Sequence, residues 1–187
     1  VSVAPAGTGQ GVIGDAVPRS TLFFRSATHR TKLIAANATQ VAVICATSPD
    51  FSIELVARVL IAAEHQQMKS LLVLNKSDLS DGLARARDRL APFEHAGYRV
   101  LVMSAKQDAS CLEQALAGET TVLVGQSGMG KSTLLNALVP EANRATREIS
   151  AYLAAGRHTT SHTRLFRTER AAIIDCPGLQ EFGLAHL

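Results

Sequence analysis

The stretch "GQSGMGKS", Gly125 to Ser132, has the spacing of a loop that wraps phosphate. Its glycines let the backbone curl so that successive N–H groups face phosphate oxygens. Lys131 is placed to neutralise β- and γ-phosphates, Ser132 to ligate Mg²⁺, and Thr133 to follow in the first helical turn. Gly125, Gln126, Ser127, Gly128, Met129 and Gly130 supply the rest of the cradle. An apolar strand precedes the loop and a helix pattern follows it, as phosphate binding at a helix N-terminus requires.

A second constellation reads a base. In "NKSD", Asn75 to Asp78, the carboxylate of Asp78 can accept from both the ring N–H and the exocyclic amine of guanine. Adenine would leave that carboxylate unpaired, an expensive rejection. Alone, such a tetrapeptide is as readily a polar turn after a strand. It is paired with "SAK", Ser104, Ala105 and Lys106, after the next strand. The N–H of Ala105 is expected to approach the guanine carbonyl, and Lys76 to lie along base and sugar. A third motif, "DCPG", closes another apolar run. Asp175 is expected to hold the Mg²⁺ shell through water, and the N–H of Gly178 to meet the γ-phosphate. Between these lies "GRHTT", in which Thr159 or Thr160 is the candidate switch threonine for Mg²⁺ and γ-phosphate.

These motifs need a scaffold that delivers them to one edge. The runs "QVAVICA", "SLLVLN", "YRVLVMSA", "TTVLVG" and "AAIIDC" are nearly continuous in hydrophobicity, as strands buried on both faces require. Helix patterns start at Ser52, Leu83 and Lys131, so strand and helix alternate. The expected fold class is α/β: a P-loop domain with a mostly parallel six-stranded sheet, in which "HTRLFRT" adds an antiparallel edge strand. The Gly- and Pro-rich start reads as a small β appendage, giving a partial N-terminal segment over 1–36 and the nucleotide domain over 37–187.

The order is unusual. The guanine motif and Ser-Ala-Lys come before the phosphate loop, and the switch threonines and Asp-x-x-Gly come after it. Moving the first 120 residues to the far end restores the usual order, so the domain is expected to be circularly permuted.

With 187 residues, 47% of them apolar and 19% charged, the chain can bury a sizeable core. No apolar run nears the roughly 18 residues of a membrane span, and the start lacks a signal-peptide pattern. Cys45, Cys111 and Cys176 lack metal-ligand spacing and read as buried apolar residues in a reducing cytoplasm. The net charge of +3 is a mild bias, compatible with a polyanionic partner. The chain does not begin with Met, which leads us to expect a fragment.

The segments "KLIAANATQVAVI", "VLNKSDL", "GQSGMGKSTLLN", "GRHTT" and "DCPGLQEFGL" resemble the ribosome small subunit-dependent GTPase A family. The resemblance covers nearly everything from residue 18 onward. It implies GTP hydrolysis to GDP and phosphate, stimulated by the small ribosomal subunit and acting in its late maturation. It also implies an N-terminal OB-fold that contacts rRNA, of which 1–36 would be a partial, OB-fold-like remnant. The family's C-terminal zinc domain has no ligands in this chain, which stops at Leu187. A cytoplasmic monomer with no membrane contact is expected. His158 resembles the family's proposed catalytic His: Leu179, after Asp-x-x-Gly, stands where many GTPases place a water-orienting Gln. A loop residue or an rRNA contact is the other reading of His158. Two readings compete with the hydrolase: a non-catalytic GTP/GDP sensor, and an ATP-using P-loop enzyme in which "NKSD" is coincidental.

Overall fold

The computed structural model describes residues 3–8, 10–27, 30–139 and 163–185. Its centre is β5 (Gln40–Ala46), whose seven residues are all buried. It pairs in parallel with β6 (Lys69–Asn75) on one side and β8 (Thr120–Val124) on the other, which is why it carries no polar alternation. With β7 (Arg99–Val102), β10 (Ala172–Asp175) and β9 (Arg164–Arg167), the sheet runs β7-β6-β5-β8-β10-β9. Only β9 is antiparallel, and it lies at an edge where burial alternates, as the "HTRLFRT" pattern predicts.

Helices α1 (Ile53–His65), α2 (Leu83–His95) and α4 (Lys131–Leu138) begin within a residue of the expected positions. Ser52 caps α1, its hydroxyl accepting from the N–H of Leu55 at 3.1 Å. Leu55, Val56, Val59, Leu60, Ala62 and Ala63 form the face that α1 buries. The short α3 (Ser110–Leu116) is not anticipated from sequence, because its buried pair, Leu112 and Leu116, spans a single turn.

From β5 the chain steps outward to β6 and β7, and from β8 it steps the other way to β10. The carboxyl ends of β5 and β8 therefore flank the point where strand order reverses, the place where open α/β sheets leave a crevice for ligands. Read from β8 onward and then from β5, the strands follow the usual P-loop GTPase succession, so the permutation is visible in the topology.

The N-terminal segment forms two antiparallel ribbons, β1 (Val3–Pro5) with β2 (Gly11–Ile13) and β3 (Leu22–Ala27) with β4 (Arg30–Ala36). In the first, Ala4, Pro5 and all of β2 are exposed, Val12 and Ile13 included. The second is not a free appendage. Phe23 is 0% exposed within the main core, its ring 5.5 Å from that of Phe182 near the other end of the chain. Such a ring pair contributes about 0.5–1.5 kcal/mol beyond its area burial. No helix among the described residues is long and apolar enough to cross a membrane.

Candidate functional site

The loop between β8 and α4 requires its glycines for two different reasons. At Gly125 a Cβ would stand 2.5 Å from the carbonyl oxygen of Ile44, so only glycine lets β8 end this close to β5. Gly130 has φ +89°, and a Cβ there would meet Nδ2 of Asn75 at 2.4 Å. Between them, Met129 turns its side chain into the core, leaving only its backbone to the loop. Ser127 and Gly128 are exposed, as are Ser132 and Thr133 in the first turn of α4. That turn presents N–H groups and the positive end of a helix dipole to the crevice.

Lys131 is buried, and its Nζ donates to the carbonyls of Gly125 at 2.7 Å and Gln126 at 3.0 Å. The ammonium is thus satisfied by its own loop. Burial pushes its pKa down, against the charge of Asp175, which pulls it up. Asp175, at the end of β10, is shifted the other way: burial raises its pKa, while Lys131 and Arg164 hold it down. At Gly178 an added Cβ would lie 3.3 Å from the N of Ser127 and 3.5 Å from Nζ of Lys131, so Asp-x-x-Gly does reach the phosphate loop. Leu179 then turns inward: its N–H donates to the Gly125 carbonyl at 3.1 Å and its side chain is buried.

At the base end, Asn75 is 2% exposed and acts as a bracket. Its Nδ2 donates to the Met129 carbonyl at 3.0 Å, and its Oδ1 accepts from the N–H of Ala105 at 3.0 Å. One amide therefore ties the guanine motif to both the phosphate loop and Ser-Ala-Lys. The Ala105 N–H, expected to face a guanine carbonyl, is engaged by Asn75 and would have to share that bond with a base. Lys76, with φ +62°, donates to the carbonyls of Ser48 at 2.6 Å and Gly128 at 2.7 Å, which brings its stem across the loop. Asp78 is exposed, one carboxylate oxygen accepting from Oγ of Ser104 at 2.6 Å. That hydrogen bond, more than the nearby charges of Lys106 and Lys76, holds the Asp78 carboxyl below the usual carboxylate range. Lys106 is exposed beside it.

His158, Thr159 and Thr160 lie outside the described residues, as does His162. The remaining expected residues converge on the crevice, although Asn75 and Met129 serve it as framework. Sequence reasoning missed the stretch after β5. There Thr47 donates to the Lys76 carbonyl at 2.9 Å, and the Ser52 N–H donates to Oε1 of Gln126 at 2.6 Å. A polar "TSPD" directly after the apolar run "VAVICA" at the sheet's reversal was the available signal.

The oxygen donors expected near Lys131 are the Ser132 hydroxyl, next in sequence, and the Asp175 carboxylate, whose charge acts on the ammonium; the neighbouring Cys176 thiol is held protonated by burial. This suits a hard divalent cation that keeps several waters, so the residues fit Mg²⁺. Among the described residues no cluster of three or more His, Cys, Asp or Glu side chains could hold a metal by itself. Cys45 and Cys176 are buried, with thiols pushed up to about 12 by desolvation, unlike metal-binding thiolates.

The RsgA GTPase family model matches residues 16–185. The small ribosomal subunit biogenesis GTPase RsgA of Nitrosospira multiformis is 52% identical over 188 residues, covering 100% of this chain and 60% of that protein. The protein of the same name from Burkholderia pseudomallei is 52% identical over 183 residues, covering 95% and 58%. The chain thus spans about three fifths of the length of the curated relatives it matches. Among solved structures, YjeQ from Thermotoga maritima superposes with a TM-score of 0.67 at 27% identity, over 94% of this chain and 58% of that one. YloQ, described as a circularly permuted GTPase, gives 0.66 at 22% identity, over 99% and 57%, a likeness of fold alone.

Proposed function

The chain belongs to the RsgA GTPase family, and from that membership and the site's geometry we propose that it binds GTP and hydrolyses it to GDP and phosphate. The observation that carries the reading is the Asn75 bracket. It ties the turn after β6 that carries Asp78 both to the Ser104–Lys106 turn and to the phosphate loop, 54 residues on in sequence, which supports a single site for base and phosphates.

On this reading Lys131 leaves the carbonyls of Gly125 and Gln126 for the β- and γ-phosphates. The loop N–H groups and the first turn of α4 hold the remaining phosphate charge, and the N–H of Gly178 meets the γ-phosphate. Asp78 selects guanine, and Lys76, Lys106 and the Ser104–Ala105 turn frame the base. Ser132, with Thr159 or Thr160 and with Asp175 through water, would hold Mg²⁺, which neutralises charge developing between the phosphates. Leu179 is buried and has no group to orient water, so His158 is the residue we assign to aligning the attacking water. His158→Ala should then lower turnover by about a hundredfold while nucleotide affinity is kept. Unchanged turnover would remove the assignment.

The partner proposed is the small ribosomal subunit and its rRNA during late maturation, following the relatives' names. The setting proposed is cytoplasmic, with the protein acting as a monomer. Residues 37–187 form the catalytic unit of this proposal, and 1–36 the OB-fold-like remnant beside it. Phosphate release from GTP and from ATP, each with and without small subunits, tests the whole. We expect GTP alone to be turned over, and faster with subunits. Equal use of ATP would discard the guanine assignment, and tight GTP binding without turnover would leave a sensor.

A further inference from the structure

The segment behind Gly178 is held at two ends by different parts of the molecule. Its near end meets the phosphate loop, where the Leu179 N–H donates to Gly125. Its far end is taken up by β3 and α1. The N–H of Ser26 donates to the Gly183 carbonyl at 2.9 Å, and the N–H of Ala185 donates to the Ser26 carbonyl at 3.1 Å, so the segment lies beside β3 like a further strand. Two guanidiniums then hold two consecutive carbonyls. Arg25 of β3 donates from Nη1 to Glu181 at 2.9 Å, and Arg58 of α1 donates from Nη1 to Phe182 at 3.3 Å. Glu54, one turn before Arg58 on α1, pairs with its other Nη at 2.5 Å and orients it.

A cleft of about 830 Å³ opens between β3, α1 and this segment, lined by Arg25, Arg58, Lys32, Glu54 and Glu181 among others. On its inner side the segment is packed to β3 by Phe182 against Phe23; on the open side of the cleft the two guanidiniums reach across to it. Hydrogen bonds from a charged donor are stronger than neutral ones, and an arginine fork resists rotation.

We propose that Arg25 and Arg58 are positioning residues for hydrolysis, fixing the far end of the segment so that Gly178 stays against the phosphate loop. The proposal rests on the GTPase reading. Its physical content is that a γ-phosphate meets a Gly178 N–H already in place, so this segment does not have to be ordered before the reaction. GDP has no γ-phosphate, so its binding does not report on Gly178. A defect in positioning and a defect in folding therefore separate: the first lowers turnover alone, the second lowers GDP affinity as well.

The experiment measures GTP turnover and GDP affinity in the purified protein for Arg25→Ala, Arg58→Ala, the double variant and Arg25→Lys. We expect each single alanine to slow turnover several-fold and the double variant by about tenfold or more, with GDP affinity kept within about twofold. Arg25→Lys, which restores a charged donor without the fork, should recover part of the loss. A double variant that binds GDP normally and turns over GTP at the wild-type rate overturns the proposal. So does a parallel fall of turnover and GDP affinity in Arg25→Lys and in both single alanines. Wild-type protein that releases no phosphate overturns the GTPase reading first, and this inference with it.

Discussion

At the base end of the site, Asn75 is 2% exposed and gives both halves of its amide to the protein, to Met129 and to Ala105. At the phosphate end, Lys131 is also buried, yet its ammonium rests on the carbonyls of Gly125 and Gln126 that close its own loop. If a nucleotide enters as proposed, the first arrangement is kept, with the Ala105 N–H shared between Asn75 and the base, and the second has to be exchanged for phosphate oxygens. On the proposed reading, base selection is preassembled, whereas phosphate binding begins with the release of a satisfied cation. Such a release is favourable only if the incoming group carries more negative charge than two carbonyls, which a triphosphate does.

Lys131→Ala breaks the phosphate side most directly. Phosphate release should fall on the order of a thousandfold, because Lys131 is the buried cation of the loop, while Lys76 crosses it at Gly128 on the exposed side. Asp78→Asn acts on the other side alone: preference should move from guanine to xanthine nucleotides by roughly a hundredfold, read in competition binding, with the phosphate contacts untouched. A variant keeping its full preference for GTP would mean that the base end does not select. Asn75→Ala tests whether the bracket joins the two ends. It leaves the Met129 carbonyl and the Ala105 N–H without their partner, so stability should drop by about 2 kcal/mol in urea unfolding. Affinity should weaken for GDP and GTP alike, because both ends loosen together.

Ser104→Ala is the mildest change. The Ser104 hydroxyl is the largest cause of the lowered Asp78 pKa, so its removal raises that pKa toward the ordinary value. A depressed carboxylate contributes stability present above its unfolded pKa and lost as pH falls through the folded one. The acid-side loss of guanine binding should therefore begin at higher pH in Ser104→Ala than in wild type, with the two curves merging near neutrality. Superimposable curves would show that Lys106 and Lys76 set the charge state instead.

Much of the scaffold was legible in the residues. "QVAVICA" announces a strand covered on both faces, and the structure buries all seven of its residues. The Gly125 and Gly130 positions were legible from the spacing of the loop motif, although the groups a Cβ there would strike, Ile44 and Asn75, were not. The short α3 escaped because two apolar residues one turn apart do not make a period. The destination of Leu179 also escaped: its type excludes water orientation, but only the fold shows that it packs into the core.

Composition and motif spacing by themselves determined the α/β class, the permuted order, the phosphate loop and the guanine motif. Each of these depends on short-range period or on residue chemistry, and neither needs a partner to be recognised. Tertiary structure alone decided that Asn75 spends its amide on the framework, that Gln126 receives the N–H of Ser52, and that Phe23 packs on Phe182. It also decided that Arg25 holds a carbonyl 156 residues away. The first two pairings arise where β8 lies beside β5 and draws their following loops together, the last two where β3 meets the segment after β10. The energy of each bond depends on burial and geometry that no single stretch of the chain contains.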